Sequence, residues 1–184
     1  MVQAALMLCM ASNCLAQPVS HSPHGEFAIN YLPVAKANMT PDCTAYLVLE
    51  RKGKEIARFP TIGEIQEVFW SPDGRYVAIN NRRGESGDYL WVVATESGVV
   101  IHKPDDDLPI KDETKQFPEY AHLELHKEWI MPKGWKPNNS LWVRVDDIYS
   151  HSDEYLSIDI IYSVNGGALH LVSQVARMLP RSQL

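Results

Sequence analysis

The sequence predicts an all-β protein assembled from four-stranded antiparallel units, and three observations carry that expectation. Residues Phe69 to His102 read in order as strand, tight turn, strand, loop, strand, turn, strand. The other apolar runs are short and are separated by Gly-, Pro- and Asn-bearing turns, the punctuation of sheets. The same order of features returns in the closing third of the chain.

A chain of 184 residues fits one domain with a sizeable core, so residues 17–184 are expected to form a single β-repeat domain. A hydrophobic content of 45% with 22% charged residues is that of a globular chain and excludes disordered, collagen-like and coiled-coil classes. The net charge of -6 argues against nucleic-acid binding, which relies on clustered Lys and Arg.

Residues 1–16 carry no charged side chain and include the apolar segment Ala4 to Ala11, which is too short to span a bilayer. The segment ends in Cys14-Leu15-Ala16, with small residues where a signal peptidase reads. A secretory signal cut before Gln17 is expected, with a periplasmic or secreted product and no membrane insertion after cleavage. Cys9 and Cys14 fall in that segment, which leaves Cys43 alone and allows no intramolecular disulfide. An exported domain without disulfides depends on core packing, which favours a periplasmic setting.

Taken in order, Gln17 to Gly25 reads as a polar, Pro-containing lead and Glu26 to Leu32 as a first strand. Thr44 to Leu49 and Glu55 to Phe59 flank Arg51-Lys52-Gly53-Lys54, where Gly supplies the positive φ of a hairpin turn. Ile65 to Trp70 and Tyr76 to Asn80 flank Ser71-Pro72-Asp73-Gly74: Pro presets φ, Asp bonds locally and Gly takes positive φ. Tyr89 to Ala94 and Val99 to His102 complete the unit. Pro104-Asp105-Asp106-Asp107-Leu108-Pro109 then breaks the pattern, and a helical insertion is expected over about residues 105–136. Tyr120, Leu123, Lys127 and Ile130 are spaced for one face of a helix from about Pro118 to Trp129, closed by Pro132 to Pro137. Strands return at Leu141 to Val145, Tyr155 to Tyr162 and Ala168 to Val175, the last two joined by an Asn165-Gly166 hairpin, with a frayed tail after Arg177.

Trp70 to Ala78 lies over Trp135 to Val143 at an offset of 65, and Asp88-Tyr89-Leu90 lies over Glu154-Tyr155-Leu156 at an offset of 66. A shared order of this length indicates a duplicated unit. Trp70-Ser71-Pro72-Asp73-Gly74-Arg75-Tyr76-Val77-Ala78, followed by Asp88-Tyr89-Leu90-Trp91-Val92, resembles the repeat of TolB-type and WD-like β-propellers. The resemblance covers residues 65–103 well, and 135–175 is a degenerate copy with Asn138-Asn139 in place of Asp-Gly. It implies blade-like units in which Asp73 and Gly74 serve the turn, and it supplies no catalytic residue. The apolar pattern yields about ten strands, whereas a closed propeller needs at least about four blades of four strands. An incomplete or open propeller is therefore expected, with a β-sandwich as the alternative, and with exposed sheet edges covered by the insertion or by self-association.

Candidate sites are few. His122 and His126 stand four apart on the expected helix with Glu119 nearby, a spacing zinc uses, but the Glu that follows the first His in zincins is missing and no third ligand is evident. His21 and His24 lie in the N-terminal lead. Asp105-Asp106-Asp107 lacks the alternating ligands of a calcium loop. Arg82, Arg83, Glu85 and Asp88 sit on a loop that reads as self-neutralising. Trp70, Trp91, Trp135 and Trp142 recur between the copies and read as core, while Trp129 stands apart; Asn38 and Asn138 begin glycosylation sequons. No catalytic, cofactor-binding or metal residue is assigned. The expected function is that of a non-enzymatic exported binding or scaffold protein with a protein partner. The alternatives are a metal-dependent or hydrolytic enzyme centred on His122, His126 and Glu119, and a fragment of a larger propeller.

Overall fold

Turn chemistry decides where strands start and stop in this chain. At Ser71-Pro72-Asp73-Gly74 the Ser71 and Gly74 amides donate to the Tyr76 and Ser71 carbonyls, both at 2.9 Å. The Ser71 hydroxyl accepts from the Tyr76 amide at 2.9 Å and donates to Asp73 at 2.7 Å, and Gly74 takes φ 71°. The chain is thus reversed by bonds made inside six residues, which leaves the flanking segments free to pair.

The computed structural model describes residues 17–40, 43–62, 64–82, 88–103, 106–109, 129–148, 153–180 and 182. The first unit comprises β1 (Gln17–His21), β2 (Phe27–Pro33), β3 (Ala45–Arg51) and β4 (Lys54–Thr61). The second comprises β5 (Glu64–Trp70), β6 (Tyr76–Arg82), β7 (Asp88–Ala94) and β8 (Val100–His102), and the third β9 (Trp129–Trp135), β10 (Ser140–Ile148), β11 (Glu154–Asn165) and β12 (Ala168–Pro180). Within each unit, consecutive strands pair antiparallel. One parallel pairing, Asp88 with Trp129, joins β7 to β9. The protein is therefore all-β, with three four-stranded antiparallel units, and among the described residues helix is limited to a 3-10 turn at Lys36–Asn38 and to Ser182.

Strand alternation sends side chains to opposite faces and builds two cores. Phe27, Ile29, Leu47 and Leu49 of the first unit pack with Val77, Ile79, Trp91 and Val93 of the second. Ala78, Leu90 and Val92, on the second unit's other face, pack with the third unit's Leu141, Val143, Ile160 and Tyr162. The middle unit is apolar on both faces, which explains why β6 and β7 read as continuous apolar runs. Each buried Val, Leu or Ile contributes roughly 1.5–3 kcal/mol, so the two cores dominate stability.

The structure corrects several expectations. There are twelve described strands, not ten. The additional ones are β1, which is too polar to signal a strand, and β9, whose Pro132 and Gly134 argue against one. Trp129–Trp135 is thus a strand where the insertion was expected to end. The rest of the expected helix lies outside the described residues. Of the expected frayed tail, residues 178–180 belong to β12, which pairs with β11 to Pro180, while 181, 183 and 184 lie outside the described residues.

A third copy of the repeat went unread. His21-Ser22-Pro23-His24-Gly25-Glu26-Phe27 makes the same turn as Trp70 to Tyr76: the Ser22 and Gly25 amides donate to the Phe27 and Ser22 carbonyls, both at 2.9 Å, and Gly25 takes φ 67°. In the third unit the turn is one residue shorter, closing from the Lys136 amide to the Ser140 carbonyl at 2.8 Å, with Asn139 at φ 58° in the glycine's place. Ladder pairing accordingly sets Val77 over Leu141 and Val92 over Ile161, not the correspondence that aligning residue types suggested.

The outer turn of the second unit also grips the first. Gly98 has φ 67°, and a Cβ there would stand 2.6 Å from Ala57 Cβ on β4. Gly98→Ala combines backbone strain with a clash and is expected to destabilise the fold by about 2–3 kcal/mol in urea unfolding. A loss below about 0.5 kcal/mol, the ordinary range for surface changes, would show that this turn does not pack on the first unit.

Candidate functional site

Equivalent residues in the three units have different surroundings only at the two outer faces, and chemistry concentrates there. The first unit's outward face carries Ala28, Asn30, Val48 and Glu50 where the second has Val77, Ile79, Trp91 and Val93. The third unit's outward face carries Ser140, Trp142, Asp159 and Ile161 where the second has Tyr76, Ala78, Leu90 and Val92. Polar groups thus replace apolar ones at Asn30, Glu50, Ser140 and Asp159, while Ala28, Val48 and Ile161 remain apolar.

On the third unit, Asp159 is the hub. It accepts from Trp142 Nε1 and Arg144 Nε, both at 3.1 Å, and pairs with Arg177 from β12. The Lys136 ammonium sits 4.5 Å above the Trp142 ring. Asp146, on the same face, is 4% exposed and its Oδ1 has no hydrogen-bond partner. Burial raises its carboxyl above the ordinary value, opposed by the adjacent Ser157 hydroxyl and by Arg144, Lys133 and Arg177. Val175, on this face, and Val172, at a bulge of β12, are exposed.

On the first unit, Glu50 and Glu55 stand opposite each other across β3 and β4, a pairing of like charges. Arg58 takes Glu55, with contacts of 3.1 and 2.6 Å, and lies 5.4 Å above the Tyr46 ring. The Arg58 hydrogen bonds hold the Glu55 carboxyl below its ordinary value. A cavity of about 290 Å³ opens beside this face, lined by His21, Glu26, Asn30, Glu50 and Lys52 among others. Cys43 is half-buried and its thiol donates to the Ala45 carbonyl at 3.4 Å.

The units are tied along their innermost strands. Trp70 Nε1 donates to Ser20 Oγ at 2.8 Å, and Trp135 Nε1 donates to the Phe69 carbonyl at 2.9 Å. The donors occupy equivalent positions, and so do Ser20 and Phe69. Asn139 Nδ2 adds a bond to Asp73 at 2.6 Å, and Trp135 stacks on Tyr76 at 5.8 Å. Burial raises the Asp73 carboxyl, but bonds from the Arg75 amide, the Ser71 hydroxyl, the Arg75 guanidinium and the Asn139 amide overcome this and lower it to about 2.

His122, His126, Glu119, Arg83 and Glu85 lie outside the described residues, as do residues 1–16. His21 and His24 are exposed at the first turn, and His24 takes the place of Asp73. Asp106 turns back to its own strand end, its carboxylate accepting from the Lys103 amide at 3.1 Å. Trp129 is half-buried. Among the described residues, no three His, Cys, Asp or Glu side chains converge as a metal site. The Trp142-Asp159-Arg144-Arg177 cluster was missed because its members are distant in sequence and only the β10–β11–β12 register brings them together. No family model matches the chain, and no curated protein matches it.

Two carboxyls with opposite shifts make opposite predictions. Asp73 has a lowered folded value, so its contribution is complete above about pH 4 and fades as pH falls towards about 2. Asp73→Ala is expected to cost about 1–2 kcal/mol at pH 7, partial exposure reducing the full linkage value, and the cost should shrink below pH 4. Asp146 has a raised folded value, so its ionisation opposes folding once pH exceeds the ordinary carboxyl range. Asp146→Asn is expected to leave stability unchanged or increase it by up to about 1 kcal/mol at pH 7, with no gain at pH 3. Denaturant melts across pH 3–7 check both, and a loss of stability in Asp146→Asn would show that the fold needs that charge.

Proposed function

We propose that the chain is a non-enzymatic exported binding or scaffold protein built from propeller-like repeats of the TolB type, whose outer sheet faces receive a protein partner. One observation carries the reading: positions that are apolar between units become the half-buried Glu50 and Asp159 at the ends of the stack, with Asn30 and Ser140 buried beside them. Beside them stand a tryptophan, two arginines and a lysine on a rigid sheet, side chains suited to protein contact. Export follows from reading residues 1–16 as a signal. In this account the three units form an open propeller, and the turn residues Asp73 and Gly74 are architecture.

The test places a photo-crosslinking amino acid at Trp142, Arg58 or, as a control outside both faces, Lys54, in the full-length protein expressed in cells. Discrete protein adducts at residues 142 and 58, absent at 54, are expected, and changing Asp159 to Arg should remove the adduct at 142. Equal labelling at all three positions, or no adduct, would overturn the reading. So would stoichiometric zinc that disappears in His122→Ala.

A further inference from the structure

The two end faces are unlike each other, and each continues an internal joint. At both internal joints, an indole at the end of one innermost strand reaches the innermost strand of the preceding unit: Trp70 to Ser20 and Trp135 to Phe69. In the first unit the donor position is held by His21, exposed and also a ring N–H donor. The acceptor position that follows Ser20 and Phe69 is Gly134. Among the described residues, the His21 donor thus has no unit before it and the Gly134 acceptor none after it.

Charge points the same way. The first face carries Glu50 and Glu55 against Arg58, whereas the last carries Lys133, Lys136, Arg144 and Arg177 against Asp146 and Asp159. An acidic face thus stands at one end and a basic face at the other. Complementary potentials of this kind fix register between partners.

Size and symmetry select the partner. Propellers close with about four to eight units, and two copies of the three units among the described residues supply a number inside that range. A four-stranded face of seven-residue strands covers about 400 Å². A two-fold ring has two joints and so buries about 1,600 Å² in total, the standard size of a specific interface. Heterologous faces related by a rotation that closes give a ring with no exposed end.

We propose that a second copy of this chain is the partner, joined head to tail at both ends into a closed ring of six units, with His21 meeting Gly134 of the partner subunit. The proposal rests on the reading of the end faces as protein-binding surfaces. Because the joint has Asn30, Glu50, Ser140 and Asp159 where internal joints are apolar, it is weaker than those joints and sensitive to salt.

The test uses purified full chain with Cys43→Ser, carrying His24→Cys or Asn138→Cys at exposed turn tips that a ring brings together. Light scattering after gel filtration is expected to give twice the monomer mass, falling towards the monomer at high salt. A short bis-maleimide should link the His24→Cys and Asn138→Cys proteins when mixed, and neither alone. Glu50→Arg should weaken the dimer at least about tenfold while leaving the monomer's melt in place. A monomer at every concentration would overturn the proposal. If that monomer still gives end-face adducts with a different protein in cells, the binding reading stands and only the second copy falls. A dimer linked through Val172→Cys, without the 24–138 link, would also overturn it, in favour of pairing along the β12 edge.

Discussion

The structure depends on one repeated constraint: the last side chain of each inner strand must be anchored in the unit before it. Trp70 and Trp135 meet it with an indole that is apolar enough to fill the joint and carries one N–H that must find an acceptor. The bond fixes the relative height of two sheets that otherwise meet through interchangeable apolar surfaces. Hydrophobic packing has little directional preference, so register between units needs a polar tie of this kind. The Asn139 to Asp73 bond supplies a second tie one turn away, at the only copy of the turn where Asn replaces Gly.

From that constraint the distribution of polarity follows. Units held at fixed height can bury whole faces, and the middle unit accordingly places Val77 and Ile79 on one side and Ala78 and Val92 on the other. End units have only one such face, and their outer faces carry Glu50, Asp146 and Asp159 where the middle unit is apolar. The Asp159 hub illustrates how a charged group is kept on a half-buried sheet: two guanidinium groups and an indole share its oxygens, which offsets desolvation. Asp146 lies on the same face without that support, and its raised carboxyl reflects burial that its neighbours only partly compensate.

Much of this was legible in the sequence because it is local. Turn residues at Ser71 to Gly74 and Asn165-Gly166, with apolar runs between them, fix strands and hairpins within a few residues. What escaped was carried by tertiary context. β1 pairs as a strand although its residues Gln17–His21 lack the apolar signal, and β9 tolerates Pro132 and Gly134 in a strand irregularly paired with β10. The first turn has His24 where the motif has Asp, so the copy at Ser22 to Phe27 was hidden although its backbone bonds match. The correspondence of β7 with β11 could not be read from residue types, because the β10–β11 hairpin is longer than β6–β7 and shifts the pairing. The candidate site is a product of that shift, since it sets Asp159 beside Arg144 and Trp142.

The claim that adjacent units are locked together by inner-strand aromatics is tested most directly by a double-mutant cycle between Trp135 and Tyr76, stacked across the second joint at 5.8 Å. Trp135→Leu, Tyr76→Leu and the double variant, compared by denaturant unfolding, should yield a coupling energy of about 0.5–1.5 kcal/mol. Additive losses, with a coupling indistinguishable from zero, would contradict the joint.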